Sequence, residues 1–247
     1  MSSRRRADQL LVERGFFVSR ARAQEAIVAG LVRAGGETVR KASQPLEADA
    51  DIEASAAHPW ASRGGLKLVA ALDAFGLDPS GLACLDLGAS TGGFTDVLLS
   101  RGAKSVVAVD VGHGQFDPRL ARDPRVRTLE GRDARSLTAA DLFEPPAAVV
   151  CDVSFISQRL VLPHALALAA PGAWLATLVK PQFEVGPARV IKGLVKDEAA
   201  LAEACDSVRA VVVGLGWKVL GVIPSPIAGG EGAREFLLGA RYLDIVL

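Results

Sequence analysis

Four apolar runs in the chain each end on a charged residue: Leu82-Ala83-Cys84-Leu85-Asp86, Val106-Val107-Ala108-Val109-Asp110, Ala148-Val149-Val150-Cys151-Asp152 and Leu175-Ala176-Thr177-Leu178-Val179-Lys180. Continuous β-prone runs of this length, separated by helix-length segments, read as parallel strands buried on both faces. A buried strand has little reason to carry a charge unless something binds there, so the feature points to a site as well as a fold. In an open parallel sheet, ligands bind beyond the carboxyl ends of the strands, and all four charges fall there. The expected fold class is α/β, a doubly wound sheet with a binding site along one edge.

The rest of the large domain fits that frame. Helices are expected at 65–75, 93–101, 155–170 and 197–214. Strands are expected at 82–86, 105–110, near 127–129, and at 147–152, 173–180, 217–223 and 235–243. The first 58 residues read as a small α+β domain. A helix from Ala7 to Arg14 stops at Gly15, and Ser19 caps a second helix, Arg20 to Ala29, which closes at Gly30. A hairpin turns at Gly35-Gly36, the polar stretch Ala42 to Ala57 reads as a linker, and His58-Pro59 reads as a turn. The expected domains are 1–58 and 59–247.

Composition excludes several classes. With 247 residues, half of them hydrophobic, a substantial core is available. No run approaches the roughly 20 apolar residues of a membrane span, and Arg4-Arg5-Arg6 leads into polar residues instead of a signal core. A cytoplasmic protein without a membrane partner is expected. Cys84, Cys151 and Cys205 are odd in number and far apart, which suits free thiols. The zero net charge hides an asymmetry: residues 1–41 hold nine Lys/Arg against four Asp/Glu, so the remainder is acidic. A basic head on an acidic body fits a polyanionic partner, although a solvated charged face has the same composition. Arg20 and Arg22 lie in the first turn of a helix, where free N–H groups already favour phosphate.

Asp86-Leu87-Gly88-Ala89-Ser90-Thr91-Gly92-Gly93-Phe94 joins the first large-domain strand to its helix, and Asp110 ends the next strand, where an acid can accept both hydroxyls of a ribose. That arrangement fits an adenosine or a dinucleotide cofactor. Asp86 favours the first, because an acid there suits a cationic group and repels a pyrophosphate.

Leu11 to Gly36 resembles the small RNA-binding fold first described in a ribosomal protein of the small subunit. Asp-x-Gly-x-x-x-Gly-Gly-Phe followed by Asp110 resembles the S-adenosylmethionine loop of class I (Rossmann-like) methyltransferases. The resemblance implies cofactor contacts at Asp86, Gly88, Ser90, Gly92, Gly93, Phe94, Asp110, Asp152 and Asp133, the last facing the adenine amine from Gly131-Arg132-Asp133-Ala134. Asp110 and Asp133 also read as plain turn caps. Ser62-Arg63-Gly64-Gly65-Leu66-Lys67-Leu68, that loop, Cys151 to Ser157 and Val179-Lys180-Pro181-Gln182-Phe183-Glu184 together resemble the TlyA/hemolysin-A-like ribosomal RNA methyltransferases, within the FtsJ-like 2′-O-methyltransferases.

By that likeness the chain 2′-O-methylates ribose, on cytidine, in ribosomal RNA or ribosomal subunits. The catalytic set would be Lys67, Asp152, Lys180 and Glu235, with Glu231 the alternative to Glu235. Lysine is scarce here, seven of twenty-eight basic residues, which favours a role that arginine cannot fill. Lys180 is expected at the hydroxyl, as a neutral base or as a cation holding an alkoxide. RNA contacts are expected from Arg4, Arg5, Arg6, Arg20, Arg22 and Arg63. No metal is expected: His113 with Asp110 and Asp117 reads as an ordinary loop. The rival readings are a non-catalytic RNA-binding assembly factor and a dinucleotide-dependent oxidoreductase.

Overall fold

A computed structural model describes residues 4–243. The chain divides after Pro59 into two compact units. In the first, β1 (Arg4–Arg6), α1 (Ala7–Glu13), α2 (Arg20–Val28), β2 (Val32–Ala34), β3 (Glu37–Thr38), β4 (Pro45–Glu47) and β5 (Ile52–Ala54) follow in order. β1 pairs antiparallel with β4, and β2 lies between β3 and β5. The hairpin turns on Gly35 and Gly36, both at positive φ, as a tight two-residue turn requires. Ala42 to Ala57 is therefore not a linker, because it supplies β4 and β5. Leu46 and Ile52 from it are buried with Leu10, Leu11, Phe17 and Ile27. Nor is His58 a plain turn residue: it is 5% exposed.

The second unit contains α3 (Gly64–Phe75), β6 (Ala83–Leu87), α4 (Gly93–Ser100), β7 (Ser105–Asp110), α5 (Pro118–Ala121), β8 (Val126–Glu130), β9 (Ala148–Cys151), α6 (Gln158–Leu166), β10 (Trp174–Val179), α7 (Pro181–Glu184), α8 (Glu198–Gly214), β11 (Trp217–Pro224) and β12 (Phe236–Tyr242). Seven strands form one sheet in the order β11-β12-β10-β9-β6-β7-β8. Five are parallel, and β12 runs antiparallel between β10 and β11. Alternate residues feed two cores. Leu85, Leu87, Val107, Val149 and Leu175 pack on the α6 and α8 side, and Cys84, Val106, Val150 and Leu178 on the α3 and α4 side. The chain passes from β6 to β7 on one side and returns to β9 on the other. This reversal opens a crevice at the carboxyl ends of β6 and β9.

Candidate active site

A cavity of about 500 Å³ lies in that crevice, lined among others by Gly88, Ser90, Asp110, Asp133 and Asp152. Gly88 has φ +79, and a Cβ on it would lie 2.8–2.9 Å from the main chain of Asp152 and Val153. Glycine thus lets β6 and β9 close at their ends. Asp110 accepts from the main-chain N–H of Ser90 (2.8 Å) and of Gly112 (2.7 Å), which fixes its carboxylate at the wall. Ser90 is held there at φ +46, a conformation that side chains seldom adopt.

Asp86 is fully buried within β6, two residues before Gly88. Its Oδ2 accepts from the Thr95 hydroxyl at 2.7 Å, whereas Oδ1 has no hydrogen-bond partner. Burial pushes its pKa up to about 7; the Thr95 bond opposes the shift, and the nearby Asp152 carboxylate adds to it.

Other expected cofactor contacts lie elsewhere. Phe94 is 4% exposed in the core beside Leu68 and Leu98, a packing residue and not a cavity wall. At Gly92, φ +92, a Cβ would collide with Leu120 and Phe116, and at Gly93 with the Ser62 hydroxyl. These glycines let the chain approach itself. Asp133 lines the cavity but caps the turn at Ala134–Ser136, accepting from Arg135 N–H at 2.9 Å and pairing with its guanidinium at 2.6 Å. Arg135 holds its carboxyl down at about 2. Val111, Ser154, Phe155 and Ile156 line the cavity without having been expected to. Val111 and Phe155 are 68% and 91% exposed, and the apolar residues just past the strand ends at Asp110 and Cys151 were the available signal.

Four charged groups meet beside the cavity. Lys180 Nζ lies 2.6 Å from Asp152 Oδ1, off the direction of a hydrogen bond, so that contact is ionic. The directed bonds go to Ser154 Oγ at 2.6 Å and to the main-chain oxygen of Asp152 at 3.3 Å. Lys67 Nζ donates to Glu235 Oε2 at 2.5 Å, and both side chains are under one-tenth exposed. The β10–β12 register pairs Val179 with Phe236, which brings Lys180 and Glu235 side by side where the ladder ends. Asp152 faces the first turn of α3, with Oδ2 3.8 Å from the position of a Cβ on Gly64, and α3 carries Lys67 one turn on. Glu231, the alternative to Glu235, is exposed and has no partner among the described residues.

Arg4, Arg5, Arg6, Arg20 and Arg22 of the first unit each have a partner within it. Asp8, with no exposed surface, accepts from Arg6, Arg20 and Gln24, and these partners hold its pKa far below the usual carboxylate range. Arg4 pairs with Glu47 and Arg5 with Glu13. Arg22 corrects an expectation. Its side chain is 15% exposed and is turned onto His58, 2.8 Å from the ring nitrogens and 2.7 Å from the main-chain oxygen. Arg63 is exposed before α3. Arg20→Ala is expected to weaken RNA binding and lower its salt dependence by about one ion, since Arg20 is half exposed. Arg22→Ala is expected to lower thermal stability and leave the salt slope unchanged. Equal salt slopes for the two variants would contradict this division of labour.

Among the described residues no cluster of three or more His, Cys, Asp or Glu could hold a metal, and no helix is long and apolar enough to cross a membrane. His113 packs on Gly131, where a Cβ would stand. All three cysteines are free thiols.

Residues 60–242 match the FtsJ-like methyltransferase model, and residues 5–52 match the S4 domain. The chain is 44% identical to the 16S/23S rRNA (cytidine-2'-O)-methyltransferase TlyA of Mycobacterium tuberculosis, over 98% of this chain and 91% of that protein. It is 36% identical to Hemolysin A of Brachyspira hyodysenteriae, over 94% and 98% respectively. A solved structure from Streptococcus thermophilus, 37% identical, superposes with a TM-score of 0.78 over 99% of this chain and 90% of that one. The chain is thus a member of the TlyA/hemolysin A family, an FtsJ-like methyltransferase behind an S4 domain.

Proposed function

We propose that the chain transfers a methyl group from S-adenosylmethionine to the ribose 2′-hydroxyl of a cytidine in ribosomal RNA, with ribosomal subunits as substrate. The observation that carries this reading is the meeting of Lys180 and Asp152 at the rim of the cavity, with Lys67 and Glu235 alongside. The name of the tuberculosis relative supports the ribose 2′-oxygen and the cytidine base.

The residues present fit the cofactor. Its cationic end suits Asp86, whose buried Oδ1 is unpartnered. Asp110 would hold the ribose hydroxyls, and Asp133 would face the adenine amine while keeping Arg135. When bound, S-adenosylmethionine supplies an electrophilic methyl group for in-line attack. The chain's own residues do the remainder. A ribose hydroxyl attacks only as its proton leaves, which needs an acceptor or a cation at that oxygen. In this reading Lys180 would serve, with its amine held between the Asp152 carboxylate and the Ser154 hydroxyl. The buried Lys67–Glu235 pair lies next to Lys180 in register and adds no net charge.

Mapping 2′-O-methyl marks on ribosomal RNA from cells with and without the active protein tests the reading. A cytidine mark that depends on the protein is expected; identical maps would overturn it.

The buried Asp86 makes cofactor binding pH-dependent. A cation binds the ionised form, and in the ligand-free chain that form predominates only above about pH 7. Cofactor affinity is therefore expected to fall about tenfold from pH 8 to pH 6, as the ionised fraction falls. The stability sign is opposite: a carboxyl with a raised folded pKa contributes most below its unfolded value near 4 and loses that contribution as pH rises through 7. Calorimetric titration at both pH values checks the first statement, and Asp86→Asn should flatten the dependence.

A further inference from the structure

Glu184 is a buried carboxylate that the chemistry above leaves unused. It is 6% exposed overall, and its side chain 1%. It closes α7, the short helix that begins directly after Lys180. Across 26 residues of sequence it reaches the start of α6: Oε1 accepts from the main-chain N–H of Gln158 at 2.8 Å, and Oε2 accepts from the Ser157 hydroxyl at 2.6 Å. The first N–H groups of a helix have no partner within it, so a carboxylate there satisfies a donor and meets the positive end of the helix. The Gln158 side chain completes the link, donating from Nε2 to the main-chain oxygen of Leu178 and accepting from the Thr177 hydroxyl at 2.7 Å. Every polar group of this buried set is satisfied, which makes its geometry costly to change.

Its position gives it consequence. The loop from Asp152 to Ser157 carries Asp152, Ser154 and Phe155, and the segment from Lys180 to Glu184 carries Lys180 and Phe183. One end of each is set by a strand, and these two strands pair in parallel. The other ends are joined by Glu184. Between them stand the Lys180–Asp152 pair and the Phe155–Phe183 contact, with ring centroids 5.2 Å apart. Phe155 sits at φ +64, a strained conformation for a bulky side chain that requires an outside brace.

We propose that Glu184 is a positioning residue: by tying the loop after β9 to the segment after β10, it sets the register of Lys180 against Asp152. This rests on the reading that those two groups serve methyl transfer. The brace works through geometry, so Gln should replace Glu in large part: its Oε1 still accepts from Gln158 N–H, although Ser157 Oγ, which already accepts from Arg159 N and Nε, loses the carboxylate it donates to.

The test compares Glu184→Ala and Glu184→Gln with the parent protein in methyl transfer to ribosomal RNA, each rate normalised to folded protein. Glu184→Ala is expected to lose about 50-fold in kcat with KM for RNA within about threefold, as misplacement near 1 Å produces. Glu184→Gln is expected to recover to within about fivefold of the parent, since it keeps the acceptor. A residue with a merely structural role would lower the melting temperature of Glu184→Ala and leave kcat per folded molecule unchanged, which overturns the proposal. Hydrogen exchange over residues 152–158 reads the brace without methyl transfer. Exchange should be about tenfold faster in Glu184→Ala than in Glu184→Gln, and equal rates would also overturn it. A parent protein that methylates no RNA defeats the functional reading, while the exchange comparison still decides whether the brace exists.

Discussion

Lys180→Ala is expected to lower methyl transfer about 10³-fold while leaving cofactor affinity within about threefold, the signature of a group that acts only in the transition state. The reason is positional. Lys180 projects past the end of β10, one ladder step beyond Val179, and its amine is held between Asp152 and Ser154 at the cavity rim. Gly88, Ser90 and Asp110, which line the cavity, have no bond to the lysine side chain, whose polar contacts go to Asp152 and Ser154 in the loop after β9. Lys180→Arg should not restore activity. A guanidinium keeps the charge but cannot act as a neutral base, and its planar fork cannot reproduce the single 2.6 Å bond to Ser154. Single-turnover transfer with a labelled methyl donor, beside calorimetric titration of the same variants, separates chemistry from binding. An alanine variant that retains a tenth of parental activity would remove Lys180 from the reaction.

The large sheet was legible because its strands are long, apolar and closed by charges. Runs of four to six mostly apolar residues, rich in Val, Leu and Ala, spaced by helix-length segments and closed by charges, mark buried strands, and the observed bounds differ from the expected ones by only a residue or two. The strands of the first unit left no such pattern. β4 and β5 have three residues each, and only Leu46 and Ile52 point inward, so alternation has nothing to repeat and the stretch reads as polar linker. Helix α6 was expected three residues early for a different reason. Phe155 and Ile156 are apolar and look helical, but they line the cavity, and Ser157 caps the helix behind them.

The site divides in the same way. Asp110, Asp152 and Lys180 stood out at or just past the ends of buried strands, and Asp86 as a charge in the last residues of one. The pairing of Lys67 with Glu235 spans 168 residues and depends on β12 running antiparallel beside β10, which no local pattern encodes. Only the family resemblance joined those two residues; Glu235 is buried against Lys67, whereas Glu231 is exposed. Arg22 misled because its place in the first turn of α2 suits phosphate equally well whether its guanidinium faces outward or, as here, turns onto His58.

Lys67→Met and Glu235→Leu are each expected to destabilise the protein by about 3–5 kcal/mol, because each leaves an opposite charge buried without a partner. Lys67 and Glu235 are 6% and 5% exposed, and water cannot take over the missing half of the pair. Replacing both at once, as Lys67→Met with Glu235→Leu, removes the orphaned charge and fills similar volume. The double variant should therefore recover most of the lost stability, and the two single effects should fail to add by about 3 kcal/mol or more. Activity is expected to follow a different rule. The apolar pair no longer offers charges beside Lys180, so methyl transfer should stay at the level of the worse single variant even though the fold has returned. Urea unfolding of the four proteins, run with transfer assays on the same preparations, separates the two contributions. Recovery of activity along with stability would reduce the pair to scaffolding. Failure of the double variant to regain stability would mean that the site tolerates the lost geometry no better than the lost charge, and that the hydrogen bond at 2.5 Å, not charge balance, holds α3 to the end of β12.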